Sequence, residues 1–236
     1  MSGSTGPFAT LSLEHSSTVD RVVGELRRAL FDGEVAPGTP LRETALADAM
    51  GVSRSTIREA LGALVAEGLA TREPNRGVFV TELDPRDVHD VGRARTVVEV
   101  AGLCRWESAS EQARDTVRRA LEAFGSAASS DATPSELTAA HLSIHQAIAA
   151  LNESPRLLAL ADSLYAEIRL GHAKVDRIRR NADDQVASHR TLLTLLEDGD
   201  VAGAARELEQ HLAHAEHSML EALHLVEGQA GGPASG

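Results

Sequence analysis

The chain has 236 residues, of which 42% are hydrophobic and only 3% aromatic, so its cores must be built from aliphatic side chains. The single cysteine, Cys104, excludes an intrachain disulfide and a Cys-x-x-Cys metal site. The net charge of −12 excludes a protein that is basic overall. The first ten residues lack the features of a signal peptide and no apolar run is long enough to span a bilayer, so we expect a cytoplasmic protein with no membrane partner.

The N-terminal third follows the pattern of three helices and a hairpin. Residues 1–16 are rich in Ser, Gly and Thr without periodicity and are predicted to form a disordered lead. Two short strand-like runs then flank a turn at residues 74–77, which predicts a β-hairpin. Apolar periodicity and the Gly and Pro residues that interrupt it predict helices at residues 18–32, 46–50 and 53–67.

The second and third helices carry the spacing of a helix-turn-helix. Ala47 is small enough for the two helices to touch, and Gly51, four residues later, can adopt the positive φ of a tight turn. Ile57, six residues further, is predicted to fill the core between them. Small, Gly and branched residues at this spacing indicate a helix-turn-helix.

The start of the third helix carries the side chains that would read DNA. Ser53 is a favourable N-cap, and Ser55 and Thr56 lie where backbone N–H groups attract phosphate. Arg54 and Arg58 are spaced i and i+4 and therefore share the outward face. Arginine can bind guanine through two hydrogen bonds in the major groove, so these five residues are predicted to bind DNA.

Each of these predictions has a simpler alternative. The two arginines of the third helix could form a solvated face paired with Glu59 or Asp48. The hairpin could be an ordinary exposed turn. In a winged helix-turn-helix it would instead be the wing, with Asn75 and Arg76 reaching the minor groove and Gly77 allowing close approach to the backbone.

The N-terminal segment resembles the DNA-binding domain of GntR-type regulators. The matching pieces are PGTPLRETALADAMGVSRSTIREALGALVAEGL and RGVFV, within residues 21–80. The resemblance implies that the arginines of the third helix and the tip of the hairpin contact DNA. Relatives often carry an arginine at the position of Thr44, and nearby Arg42 is expected to take its place. Residues 17–82 have eight arginines and ten acidic residues, so phosphate contacts must come from local clustering.

After Asp84-Pro85 the pattern is helical throughout, with about six helices. We therefore predict a mainly α protein with a winged helix-turn-helix at residues 17–83. An all-α antiparallel bundle for effector binding and dimerisation follows at 84–228, and a disordered tail at 229–236. Breaks between helices are predicted at residues 129–133, 152–155, 173–181 and 197–200.

Four histidines of the second domain have suggestive spacing. His141 and His145 are i and i+4 on one helix, while His189 and His211 lie on two helices joined by a Gly-Asp turn. Imidazoles brought together inside a bundle suit Zn²⁺, Ni²⁺ or a similar divalent ion. The alternative is that each of these four is an ordinary core or surface histidine. Three further histidines, His214, His217 and His224, are predicted to lie on the surface.

This region resembles the FCD ligand-binding domain of the FadR-like branch of the GntR family. That pattern has an Asp, a His four residues later and two further His on the last two helices, and the last three positions match His145, His189 and His211. His141 stands at the Asp position. With a neutral imidazole there instead of a carboxylate, a bound ion would keep more positive charge and would attract a carboxylate effector more strongly. The alternative is that the site is altered or lost. The branch also carries an R-x-x-x-E-like element, here Arg95 and Glu99; Arg95 faces either the effector pocket or a surface ion pair.

These features favour a homodimeric transcription regulator, most often a repressor in this family, that binds a palindromic operator and responds to a small organic acid. A helical metallohydrolase is the second hypothesis, because His89-Asp90 resembles the His-Asp pair of one such class. The flanking ligands and general base that such an enzyme needs are missing from the pattern, and we predict no enzymatic activity. A third possibility for the second domain is a dimerisation module with inert histidines.

Overall fold

A computed structural model describes residues 17–172 and 181–230. The predicted disordered lead therefore lies outside the described residues, as does most of the break predicted at 173–181. The N-terminal domain is a three-helix unit followed by a two-stranded antiparallel sheet. Its elements are α1 (Thr18–Phe31), α2 (Glu43–Met50), α3 (Arg54–Ala66), β1 (Ala70–Glu73) and β2 (Gly77–Val80).

Local chemistry fixes the ends of these helices. Ser17 caps α1 by accepting a hydrogen bond from the backbone N–H of Asp20, whose side chain accepts one from Ser17 in return. Ser53 caps α3 through the N–H of Thr56. Gly51 ends α2 with φ of 65°, a left-handed conformation that costs glycine little. The predicted turn between α2 and α3 is therefore present, although α2 begins three residues earlier than its sequence pattern predicted.

The hairpin pairs Ala70 with Val80 and Glu73 with Gly77, as expected for a wing. An extended stretch before α2 joins it, since the N–H of Leu41 donates to the carbonyl of Val78. The apolar faces of α1, α3 and the hairpin form one core, and Leu170 from the second domain is buried in it as well.

The second domain is a bundle of six described α-helices, which confirms the mainly α prediction. Helix α5 packs on α6 and α8, while α4 packs on α6, α7 and α9. Asp84 caps α4 and Pro85 occupies its first turn, where a missing N–H costs nothing. The helices are α4 (Pro85–Leu103), α5 (Glu111–Ala128), α6 (Pro134–Ala150), α7 (Pro155–His172), α8 (Ala182–Glu197) and α9 (Val201–Ala230).

A break between α4 and α5 was not predicted. A short 3₁₀ turn at Trp106–Ser108 separates the two helices and buries the indole of Trp106. Just before it, Gly102 allows α4 to approach α6 closely: a Cβ at this position would lie 2.2 Å from the backbone oxygen of Ile148. The close crossing brings one face of α4 against the histidine-bearing face of α6.

The last helix is longer than predicted. Gln229 and Ala230 belong to α9, so the tail predicted to begin at residue 229 is wrong for these two positions. The rest of that tail, residues 231–236, lies outside the described residues. Within the described part of the chain, no helix is both long and apolar enough to cross a membrane.

Candidate DNA-reading surface and metal centre

The N-terminus of α3 presents the predicted DNA-reading residues on one exposed surface. Ser53, Arg54, Ser55 and Arg58 are exposed, whereas Ile57 between them is completely buried. The hydroxyl of Ser53 lies 2.7 Å from that of Ser55 and 2.9 Å from that of Thr56. This cluster of hydroxyls at a helix N-terminus, beside two arginines, offers donors to a phosphate.

The two arginines are anchored by an acid of the preceding helix. Arg58 makes a two-pronged contact with Glu43, with Nε–Oε1 of 2.9 Å and Nη2–Oε2 of 2.6 Å. Arg54 lies 3.6 Å from the same carboxylate. The hydrogen bond from Arg58 holds the pKa of Glu43 below its usual value. The alternative that Glu59 or Asp48 pairs with these arginines is wrong, because their partner is Glu43, fifteen residues before Arg58.

The remaining predicted DNA-binding residues flank this surface. Arg42 is exposed at the N-cap of α2. The turn of the wing is exposed, and Asn75 adopts a left-handed φ of 62°. Arg76 pairs with Glu73 and lies 5.2 Å from the centre of the Phe79 ring. The wing tip, including Gly77 with its φ of 109°, is therefore ordered by its own side chains and turn residues.

The four selected histidines meet inside the second domain. One ligand atom from each of His141, His145, His189 and His211 lies within 4.8 Å of all the others. Helices α6, α8 and α9 supply them, and Phe124 of α5 packs 5.1 Å from the ring of His141. The first three imidazoles are buried.

Hydrogen bonds fix the protons of two of these rings. Nδ1 of His189 donates to the carbonyl of Gln185 at 2.7 Å, and Nδ1 of His145 donates to the carboxylate of Glu99 at 2.7 Å. When both rings are neutral, the Nε2 atoms of His145 and His189 each carry a lone pair, and these two atoms lie only 3.3 Å apart. Two facing lone pairs repel unless a cation lies between them. Nitrogens bound to a tetrahedral Zn²⁺ are about 3.3–3.4 Å apart, given Zn–N bonds of about 2.0–2.1 Å.

The other two histidines complete a donor set that fits a divalent ion. Nε2 of His211 is buried without a hydrogen-bond partner among the described residues. Nε2 of His141 lies 3.3 Å from that of His145. Burial lowers the pKa of all four rings, and neighbouring histidines add to the lowering at His141, His189 and His211; the pKa of His189 falls to about 3. Neutral imidazole is the form that binds metal ions, so the residues present fit the metal that the sequence predicts.

Behind His145 lies a buried polar network. Glu99 is completely buried and accepts from Nε of Arg95 at 2.8 Å and from the hydroxyl of Tyr165 at 3.2 Å. Burial would raise the pKa of Glu99, but the charges of Arg95 and His145 outweigh it and hold that pKa below its usual value. Because both side chains are buried, the alternative of a surface ion pair between Arg95 and Glu99 is wrong. The hydrogen bonds that join Glu99 to His145 and Tyr165 were not predicted.

A small cavity adjoins this network. It measures about 40 Å³ and is lined by the polar side chains of Arg95, His141 and Glu216 together with apolar residues, among them Leu142 and Met219. Nη2 of Arg95 is buried and has no hydrogen-bond partner in the described residues. A positively charged group with unused hydrogen-bonding capacity therefore lies beside the histidine cluster.

The remaining histidine predictions fall on the surface. His214 and His217 are exposed, as predicted, whereas the side chain of His224 lies outside the described residues. His89 is exposed and contacts Glu216 at 2.6 Å, and Asp90 is exposed beside it. The candidate ligand cluster in the described residues contains neither His89 nor Asp90.

A winged helix-turn-helix joined to a helical domain with a buried histidine cluster is the architecture of a DNA-binding transcription regulator. Comparison with known proteins supports this class. Residues 18–80 match the model of the bacterial regulatory proteins of the gntR family, and residues 90–214 match the FCD domain. The chain belongs to the GntR family, in the group with a C-terminal FCD domain, and it is not an enzyme.

Relatives along most of the chain agree with this assignment. A solved structure of a GntR transcriptional regulator from Rhodococcus sp. RHA1 is 30% identical, with a TM-score of 0.77 over 88% of this chain and 99% of that one. An HTH-type transcriptional regulator of Streptomyces ambofaciens is 28% identical over 80% of this chain and 79% of its own length. A protein of Paenarthrobacter nicotinovorans named "Probable D-xylose utilization operon transcriptional repressor" is 29% identical over 78% and 80%.

Proposed function

We propose that the protein is a metabolite-responsive repressor that binds a palindromic operator as a homodimer. One chain carries one recognition helix and one wing, so a two-fold symmetric dimer would present two of each to DNA. Relatives named as repressors support this direction of regulation. We expect purified protein to have twice the mass of one chain by light scattering; a monomer that still binds its operator tightly would contradict the dimer.

The DNA contacts proposed are those of α3 and the wing. The single observation that carries them is the exposed hydroxyl and arginine surface at the N-terminus of α3. In this proposal Arg58, which Glu43 orients, reads a base, and the hydroxyls of Ser53 and Ser55 bind phosphate. Arg42 and the wing tip would add backbone contacts on either side.

Selection of bound duplexes from a random library, followed by fluorescence anisotropy, tests this assignment. Arg58→Ala should weaken binding to the selected duplex by about tenfold or more, because a two-pronged arginine–guanine contact is worth about 1–3 kcal/mol. Arg119→Ala, an exposed arginine of α5, is the matched control and should change little. Undiminished binding by Arg58→Ala would remove that residue from the proposed surface.

In the second domain we propose a divalent metal site formed by His141, His145, His189 and His211, with Zn²⁺ or Ni²⁺ as the candidate ions. The observation that supports it is the pair of facing Nε2 lone pairs of His145 and His189. A divalent ion bound there would supply a positive centre for an anionic ligand. Glu99 holds the proton of His145 on Nδ1, and Gln185 does the same for His189, so both rings keep their Nε2 atoms available.

The effector proposed is a small organic acid bound beside this cluster. Arg95 lines the cavity there, and its Nη2, which has no hydrogen-bond partner among the described residues, can donate to a carboxylate. At about 40 Å³ the cavity holds little more than a few atoms, so an effector must be small or must displace its walls. A ligand that favours one arrangement of the walls shifts the populations of the regulator's states.

A thermal-shift screen with and without added Zn²⁺ or Ni²⁺, against a panel of small carboxylic acids, tests both proposals. Binding to the folded state raises Tm by mass action. A metal-dependent rise with one acid, absent in His189→Ala and kept in the exposed control His217→Ala, is the expected result. A metal response without an acid response would refute the effector proposal alone, and no response to either would favour a dimerisation module.

A further inference from the structure

A second and larger cavity lies where the two domains meet. It measures about 490 Å³, within the range of pockets that hold small molecules. Arg27 and Phe31 of α1 line one side, and residues of α6 and α7 line the other. It shares only Leu142 with the small cavity beside Arg95, and none of the four clustered histidines lines it.

Arg169 brings a positive charge to this interdomain cavity, and no ion pair with it is present among the described residues. Its guanidinium lies over the ring of Phe31, with Cζ 4.1 Å from the ring centre. Nη2 donates to the hydroxyl of Ser135 at 3.3 Å, and the buried Nε has no partner within the described residues. Arg27, on the α1 side of the cavity, differs, because Glu67 already binds it through two hydrogen bonds of 3.0 and 2.8 Å.

The surroundings of Arg169 make this charge costly. Burial lowers its pKa, while the charge of Asp32 acts in the opposite sense and that of Arg27 adds to the lowering. Asp32 is itself bound to Arg28 at 3.0 Å, so its charge is shared. Arginine remains protonated in proteins, and an incoming anion would supply the ionic partner that the described residues do not give Arg169.

The other walls restrict which anion fits. Phe31, Leu142 and several alanines provide apolar surface. Glu67 and Asp162 also line the cavity, and Asp162 accepts a hydrogen bond from Gln146 at 2.7 Å. These carboxylates would repel a ligand with several negative charges.

We propose that the interdomain cavity binds a small monocarboxylate, with its carboxylate at Arg169 and its apolar body against Phe31 and Leu142. Because the walls come from both domains, the occupant bridges the DNA-reading domain and the bundle. Tyr165 also lines the cavity, and its hydroxyl contacts Glu99 behind the histidine cluster. The site is therefore distinct from the proposed metal centre but joined to it through one side chain.

Calorimetry and ligand-observed NMR with cyclohexanecarboxylate test this site, with cyclohexylmethanol as the neutral control. The acid should bind the wild type and the alcohol should not. Arg169→Gln should weaken binding of the acid by about tenfold or more, because a hydrogen-bonded charge is lost. Ala139→Leu, which fills the cavity and leaves Arg169 in place, should also abolish it. His189→Ala should bind normally, since it changes only the metal cluster.

Three results would overturn the proposal. The first is no binding of the acid to the wild type, or equal binding of the alcohol. The second is retained binding in a folded Ala139→Leu variant, which decides the matter even if Arg169→Gln fails to fold. The third is loss of binding in His189→Ala, which would place the acid at the metal cluster. If the histidine cluster binds no metal, these three results still test the interdomain cavity, because none of them requires a bound metal ion.

Discussion

Replacing Glu99 with glutamine tests whether the buried network controls the histidine cluster. Glu99 accepts three hydrogen bonds, from Nε of Arg95, Nδ1 of His145 and the hydroxyl of Tyr165. Glutamine keeps the shape but replaces one accepting oxygen with an NH₂ donor. If that donor faces His145, the ring proton moves to Nε2 and the lone pair available to a metal is lost.

Two magnitudes follow from this geometry. Loss of an oriented partner behind a ligating histidine typically lowers metal affinity by about 10- to 100-fold. The substitution also leaves Arg95, which is 5% exposed, without its carboxylate. Breaking a buried ion pair in this way costs about 3–5 kcal/mol of unfolding free energy. Both effects should appear, and the second does not require metal.

Two assays separate these effects. Competition with a chromophoric chelator gives the Zn²⁺ affinity of Glu99→Gln, and urea unfolding of the metal-free protein gives its stability. Glu111→Gln is the matched control, because Glu111 is 69% exposed and pairs with Arg118 on the surface. A folded Glu99→Gln variant with unchanged Zn²⁺ affinity would refute the role assigned to Glu99.

Three further predictions concern the fold and the DNA-reading surface. Gly102→Ala should lower the unfolding free energy by about 1–3 kcal/mol, because its Cβ would meet the backbone of α6; urea midpoints equal to the wild type would contradict the close crossing. Glu43→Gln should raise affinity for random duplex DNA several-fold at low salt, because it removes a negative charge beside Arg54 and Arg58, with Asp48→Asn as control; anisotropy titrations that coincide would count against it. Thr133→Ala removes the capping box of α6 and should cost about 0.5–2 kcal/mol, and an unchanged Tm would show that the cap contributes nothing.

Features that depend on the spacing of residues within one helix or across one tight turn could be predicted from the sequence. The spacing of Ala47, Gly51 and Ile57 predicted the turn between α2 and α3, and all three have the burial or backbone conformation expected. The i and i+4 spacing of His141 and His145 also placed both on one face. In each case a few residues of one element determine the geometry.

Pairings between distant elements were not readable. Glu99 and His145 are 46 residues apart, and they meet because α4 crosses α6 closely at Gly102. The break after α4 was missed because it contains neither Gly nor Pro, and burial of Trp106 stabilises it instead. The interdomain cavity could not be predicted either, because it depends on how the helices of the two domains pack, and residue spacing along the chain does not reveal that packing.

Leu170 is one of the side chains that join the two domains. It belongs to α7, yet it is 1% exposed within the core of the DNA-reading domain. Drawing α7 away would return this side chain to water at a cost of about 1.5–3 kcal/mol. Ligands that couple distant sites typically do so with about 1–3 kcal/mol. Burial of Leu170 therefore stabilises the described arrangement of the two domains by an amount comparable with the coupling free energy that a bound ligand typically supplies.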